Sequence, residues 1–239
     1  ITTAMAQYGL FMPFCATFFI FSDYLKPSAR VAALMKAQLF YVFTHDSIGV
    51  GEDGGTHQPI EQLGTFRAIP DSYTFRPADG VENIEAWINA LTLQAPSAFV
   101  LSRQKLPILN RDNMIGDMAK GAYLISPSEN PTITLIATGS EVELALNTKA
   151  LLEADGISTN VVSAPCYELL CEQENSYVNE IIDPDTKVIA IEAATALEWY
   201  KFADEIIAMN DFGASAPAGQ LFQKYGFSAE NIASKIKSL

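Results

Sequence analysis

LFYVFTHDSIGVGEDGGTHQ, residues Leu39 to Gln58, runs from an unbroken apolar stretch into a glycine-rich polar loop and then toward a helical pattern. Leu39 to Phe43 is short, aromatic and bounded by polar residues, which predicts a buried strand. Pro59 to Phe66 predicts a helix with proline near its first turn, where a missing N–H costs nothing. A strand that passes through such a loop into a helix is the unit of an α/β protein, and in open α/β sheets ligands bind at the carboxyl ends of the strands. Glycines at 49, 51, 54 and 55 let the backbone turn or approach a ligand. Both histidines of the chain, His45 and His57, lie in this loop with the acids Asp46, Glu52 and Asp53. Together they supply hydrogen-bonding and proton-transfer groups near neutral pH. The plain alternative is a solvated Gly/Asp turn with incidental histidines, but two histidines in 239 residues rarely share one loop by chance. No regular metal-ligand spacing accompanies them, so no metal site is assigned. The glycines also lack dinucleotide and P-loop spacing.

Outward from this loop the alternation continues. Ala98 to Leu101 reads as a second strand and Val81 to Leu91 as a helix. Gln104 to Lys120 has no sustained periodicity and reads as a linker. The pattern then restarts with strand Ile133 to Ala137, helix Glu141 to Ala154 and strand Asn160 to Ser163. A helix near Asn175 to Ile182 and strand Lys187 to Ile191 follow. The expected fold is therefore α/β in two domains, 1–115 and 116–239, each a mostly parallel sheet flanked by helices. Leu10 to Phe21 is the most apolar segment; broken by Pro13 and far short of the ~20 residues of a membrane span, it reads as buried core.

The net charge of −13 argues against nucleic acid or an anionic membrane as partner, because either repels such a surface. Phosphate can bind only at a local basic spot. Three cysteines (Cys15, Cys166 and Cys171) form no CxxC pair and read as core thiols in a reducing, cytoplasmic setting. There is no signal-peptide pattern. The chain begins without Met and in mid-pattern, which reads as a fragment or a processed end.

THDSIGVGEDGGTHQPIEQL resembles the loop signature of transketolases, THDSIGVGEDGPTHQP, with Gly55 standing where that family usually has proline. TFFIFSDY (17–24), RVAALMK (30–36), FRPAD (75–79), LSRQKLP (101–107), ATGSEVELA (137–145) and FGASAPA (212–218) extend the resemblance over essentially the whole chain. The resemblance implies the end of a pyrimidine-binding domain followed by a transketolase C-terminal domain. It implies thiamine diphosphate with Mg or Ca in the complete enzyme, and transfer of a two-carbon ketol unit between sugar phosphates. A homodimer is implied as well.

Residue by residue, Phe18, Phe21 and Tyr24 resemble the aromatic pocket of the cofactor's aminopyrimidine. Their i, i+3, i+6 spacing can put three rings on one side of a helical segment. Arg103 and His45 resemble the contacts to the substrate phosphate, a role suited to a guanidinium at a strand end. Asp53 resembles the carboxylate that holds a sugar hydroxyl, and His57 the imidazole at the reacting carbonyl and hydroxyl. Ser140 and Glu143 read as a helix capping box. The family's catalytic glutamate, in an REHAM-like motif, is implied a few residues before Ile1. No GDG…N motif for diphosphate and metal occurs in the chain. The expectation is thus a chain that holds one wall of an active site and binds no cofactor tightly alone, its partner being the missing N-terminal diphosphate-binding portion. The competing readings are a non-catalytic assembly subunit or degenerate relative and, at lower weight, a deoxyxylulose phosphate synthase or a β subunit of a pyruvate-dehydrogenase-type complex.

Overall fold

The structure, a computed structural model, describes residues 1–239. After helix α1 (Thr2–Tyr8), strand β1 (Phe14–Phe18) leads through a 3-10 turn into α2 (Ser22–Leu34). Strand β2 (Phe40–Thr44), helix α3 (Gln62–Arg67), strand β3 (Tyr73–Phe75), helix α4 (Gly80–Thr92) and strand β4 (Ser97–Leu101) complete the first unit. Its sheet is entirely parallel, in the order β1-β2-β4-β3. The second unit begins with β5 (Ile115–Asp117), β6 (Ala122–Ser126) and β7 (Ile133–Ala137). It continues through α5 (Glu141–Ala154), β8 (Thr159–Ser163), α6 (Tyr167–Cys171), α7 (Asn175–Ile181) and β9 (Lys187–Ile191). It ends with β10 (Glu205–Ile207), α8 (Ala218–Lys224) and α9 (Ala229–Lys237). The sheet order is β10-β9-β7-β8-β6-β5, with β5 and β6 antiparallel to their neighbours. The expected two-domain α/β fold with mostly parallel sheets is therefore present.

Both sheets are covered on both faces, and the period-2 alternation of their strands divides the side chains between two cores. In β7 and β9, Leu135, Ala137, Ile189 and Ile191 join one core with α5 and α9. Ile136, Val188 and Ala190 join the other with α7 and Trp199. In the first sheet, Tyr41, Phe43, Ala98 and Val100 face Phe19, Leu63 and Phe66, while Phe40 and Phe99 face α4. The units share these cores. Cys166 and Leu169 complete the α4 side, whereas Ile48, Ile60 and Ala78 enter the core of the second unit.

Several sequence expectations are corrected. The helix expected from Pro59 begins at Gln62, because residues 58–60 are tied to the second unit: Gln58 donates to Ala214 O and Thr195 N donates to Ile60 O. Part of the expected linker is strand β5, paired to β6; three residues are too few to show a period. The Leu10–Phe21 segment is buried core only in part: Phe19 joins the core of the first sheet, but the start of the segment does not. Leu10, Phe11, Met12 and Phe14 are exposed, as is Tyr8 before them, since β1 is an edge strand with a neighbour on one side only. Apolar composition cannot separate a core from an uncovered edge. No helix is long and apolar enough to cross a membrane.

Candidate active site

The parallel register sets Phe18 of β1, Thr44 of β2 and Leu101 of β4 side by side at the carboxyl end of the first sheet. The residues that follow these strand ends therefore emerge together. His45 comes directly after β2, and Arg103 lies two residues past β4. The His45 ring stacks on Phe18 with centroids 3.6 Å apart. Phe18 stacks on Phe21 at 6.3 Å, and Phe21 meets Tyr24 at 6.4 Å. His57, at the far end of the loop, is edge-on to Phe21 at 5.7 Å. The three aromatics thus form a continuous row with a histidine against each of its first two members. The helical placement expected for them is corrected: Phe18 ends a strand, Phe21 ends a 3-10 turn and Tyr24 lies in α2. Their rings still line up because the chain turns sharply between strand and helix. Tyr24 is the most exposed, at 87%.

Each histidine is oriented by the threonine before it. His45 Nδ1 lies 2.9 Å from Thr44 Oγ1, and His57 Nδ1 lies 2.9 Å from Thr56 Oγ1. Both Nε2 atoms lack a partner within the chain, so each is available to a ligand. The Thr-His dipeptide, present twice in the loop at 44–45 and 56–57, is the sequence signal for this arrangement. Burial lowers the His45 pKa, and the Arg103 charge lowers it further against the opposite pull of Asp53 and Asp46. His45 therefore lies within reach of the charges of Arg103 and Asp53, with burial disfavouring its protonated form. Arg103 and Asp53 are exposed, while His45 and His57 are half-buried.

Sequence reasoning missed what holds the loop. Asp46 is 3% exposed, and its Oδ2 accepts from Arg76 Nε (3.0 Å), Arg76 Nη2 (2.7 Å) and Ser102 Oγ (3.1 Å). Arg76 Nη1 reaches into the second unit, to Thr138 O (3.1 Å), Thr138 Oγ1 (2.9 Å) and Glu141 Oε2. Glu192 accepts from Thr138, from Trp199 Nε1 (3.0 Å) and, at 2.7 and 2.8 Å, from Arg67. Burial pushes the Glu192 carboxyl up, but Arg67 and Arg76 outweigh it and hold the group well below its ordinary range. A second polar seam joins Asp79 and Glu82 of the first unit to Arg111, Tyr123 and Ser163. A buried charge needs a partner, so FRPAD and TGSEVE could have been read as complementary. Their separation in the chain concealed it.

The FGASAPA segment backs the loop from the second unit. Gln58 Nε2 donates to Gly51 O (2.7 Å) and Ala214 O (2.9 Å). A Cβ on Gly55 would lie 3.1 Å from Gly213 O. The expected capping box at α5 does not form. Ser140 donates to Glu141 instead of accepting a backbone N–H, and Glu141 is committed to Arg76 and to Ala193 N.

Comparison with known proteins gives a consistent result. Residues 1–108 match the family model of the transketolase pyrimidine-binding domain, and residues 121–228 that of the transketolase-like C-terminal domain. The transketolase of Aquifex aeolicus (strain VF5) is 45% identical over 244 residues, covering 99% of this chain and 35% of the relative. The chain thus spans about a third of the length of the curated relatives it matches. The crystal structure of transketolase from Campylobacter jejuni superposes with a TM-score of 0.97 at 52% identity, over 100% of this chain and 37% of that one. A split-gene transketolase, in an inactive beta4 tetramer, shares the fold with a TM-score of 0.79 at 21% identity, over 99% of this chain and 78% of that one.

Proposed function

Because the chain belongs to the transketolase family, we propose that it supplies the pyrimidine-side and substrate-side walls of a site for two-carbon ketol transfer between sugar phosphates. The observation that carries this reading is the convergence of the Phe18–Phe21–Tyr24 row, His45, Asp53, His57 and Arg103 at one end of the first sheet.

The residues present fit part of thiamine diphosphate. An aromatic row with solvent-reachable faces at Phe21 and Tyr24 suits a flat heteroaromatic ring. No cluster of three or more His, Cys, Asp or Glu side chains could hold a metal ion, so the diphosphate and its cation are assigned to the diphosphate-binding portion of the enzyme. When bound, the cofactor supplies the electron sink that carries the two-carbon unit. The chain's own residues do the rest. Arg103 and the Nε2 of His45 bind the substrate phosphate, and the Asp53 carboxylate accepts a hydrogen bond from a sugar hydroxyl. His57 Nε2 holds or moves a proton at the reacting oxygen, with its ring fixed by Thr56 and Phe21. The exposed apolar edge from Tyr8 to Phe14 is assigned to contact with the diphosphate-binding portion and a second copy.

The test assembles this chain with the diphosphate-binding portion of a transketolase and assays ketol transfer from a phosphorylated ketose to a phosphorylated aldose. Transfer that is lost in His57→Ala is the expected result. An assembly that binds cofactor yet transfers nothing overturns the reading. The chain alone binds thiamine diphosphate weakly, because it lacks the charge-assisted contacts that anchor a diphosphate; sub-micromolar calorimetric binding contradicts this.

A further inference from the structure

His45 has a backbone φ of +65°, a conformation that costs a residue bearing a side chain on the order of 1 kcal/mol. Something must hold it there. Asp46, the next residue, has both carboxylate oxygens committed: Oδ1 accepts from Ser47 Oγ at 3.2 Å, and Oδ2 from Arg76 and Ser102. Ser102 precedes Arg103. One buried carboxylate therefore anchors the residue next to His45 and the residue next to Arg103.

Arg76 fixes that carboxylate, and the second unit aims Arg76. The guanidinium is fully buried between Asp46 on one side and Thr138 and Glu141 on the other. It lies against Gly139, where a Cβ would come within 2.8 Å of Cζ and 2.9 Å of Nε. Gly139 N donates to Arg76 O at 3.0 Å, so the backbone is held as well. Gly139 itself has φ +54°, which glycine adopts without strain.

We propose that Arg76, aimed by Thr138, Gly139 and Glu141 of the second domain, is a positioning residue that sets the spacing of His45 and Arg103 through Asp46. The C-terminal domain thus takes part in phosphate recognition without touching the phosphate. This consequence for substrate rests on the function proposed above, whereas the clamp itself does not.

The chain has only two histidines, one at each end of the loop, so His57 is an internal control for His45. The probe is imidazole NMR of the 239-residue chain in two variants, Glu141→Gln and Gly139→Ala. The first keeps shape and removes a charge; the second pushes the guanidinium aside. Arg76→Met is avoided because it strands two buried carboxylates and threatens the fold. The expected result is a shifted or exchange-broadened His45 signal in both variants, and an upward-shifted His45 titration midpoint in Gly139→Ala, where the guanidinium is moved off Asp46. His57 stays in place, and circular dichroism is unchanged. Unmoved His45 signals in the folded Glu141→Gln variant overturn the proposal, and so do equal movements of both histidines, which mark general loosening. In the assembled enzyme, the KM for a phosphorylated acceptor rises on the order of tenfold, with kcat nearly unchanged. A moved His45 with an unmoved KM refutes the phosphate role of His45 and leaves the clamp standing.

Discussion

Arg67→Met probes the junction between the domains at a fully buried ion pair. The Arg67 side chain is 1% exposed and donates to Glu192 at 2.7 and 2.8 Å and to Glu198 at 2.5 Å. Its guanidinium lies 5.4 Å from the Trp199 ring centroid. Removing one partner of a buried pair costs ~3–5 kcal/mol, because the other charge is left uncompensated. Glu192 keeps Thr138, Trp199 and, at 3.9 Å, Arg76. Glu198, 15% exposed, can turn toward water. The loss therefore falls near the lower end, about 3 kcal/mol. For a chain of this size that is a Tm drop of roughly 6–12 °C. The assay is urea unfolding near pH 7, followed by circular dichroism and by the fluorescence of Trp87 and Trp199, one in each domain. Linkage adds a second signature. The folded-state pKa of Glu192 is depressed below its ordinary 4.5, so its contribution is full above that value and is lost as pH falls through the folded value. Without Arg67 the folded value rises, and acid unfolding begins at higher pH. The double variant Arg67→Met/Glu192→Gln recovers part of the loss, since the stranded charge is gone. A loss below about 1 kcal/mol, or a double variant as unstable as the single one, refutes the reasoning.

Three further outcomes follow from other sites. In the assembled enzyme, Arg103→Ala lowers kcat/KM for a phosphorylated acceptor by roughly ten- to a hundredfold, mainly through KM. An unphosphorylated acceptor is nearly indifferent to that change but suffers from His57→Ala, and equal losses on both acceptors for Arg103→Ala make the arginine structural. Burial pushes the Glu168 carboxyl up to about 7 against the pull of Arg67, so the folded state holds a proton that the unfolded state releases above 4.5. Stability accordingly declines as pH rises from 4.5 through 7. Glu168→Gln removes that slope and gains roughly 1–2 kcal/mol at pH 8, discounted because the side chain reaches solvent in part; a variant no more stable than the parent there contradicts it. The exposed edge at Leu10, Phe11, Met12 and Phe14 makes the chain self-associate, and Phe11→Lys with Phe14→Lys reduces this in light scattering; a parent that stays monomeric over a wide concentration range counts against it.

The sequence by itself located the elements that stand out as short apolar runs or helix-forming stretches between turns. Ile133–Ala137, Glu141–Ala154 and Lys187–Ile191 stand where that pattern put them, because run length, composition and flanking turn residues are local properties of the chain. It also marked the loop, since glycines and both histidines crowd into residues 45–57. Tertiary structure decided what local pattern cannot encode. Leu10 to Phe14 is as apolar as a core segment, yet its exposure depends on β1 being the edge strand, a fact of sheet order. Phe18, Phe21 and Tyr24 meet across three kinds of backbone rather than along one helix. Arg76, Asp46 and Glu141 look like ordinary surface charges in sequence. They become a buried clamp because β3, the loop after β2 and the start of α5 converge, and at such a junction desolvation forces opposite charges from distant segments to pair.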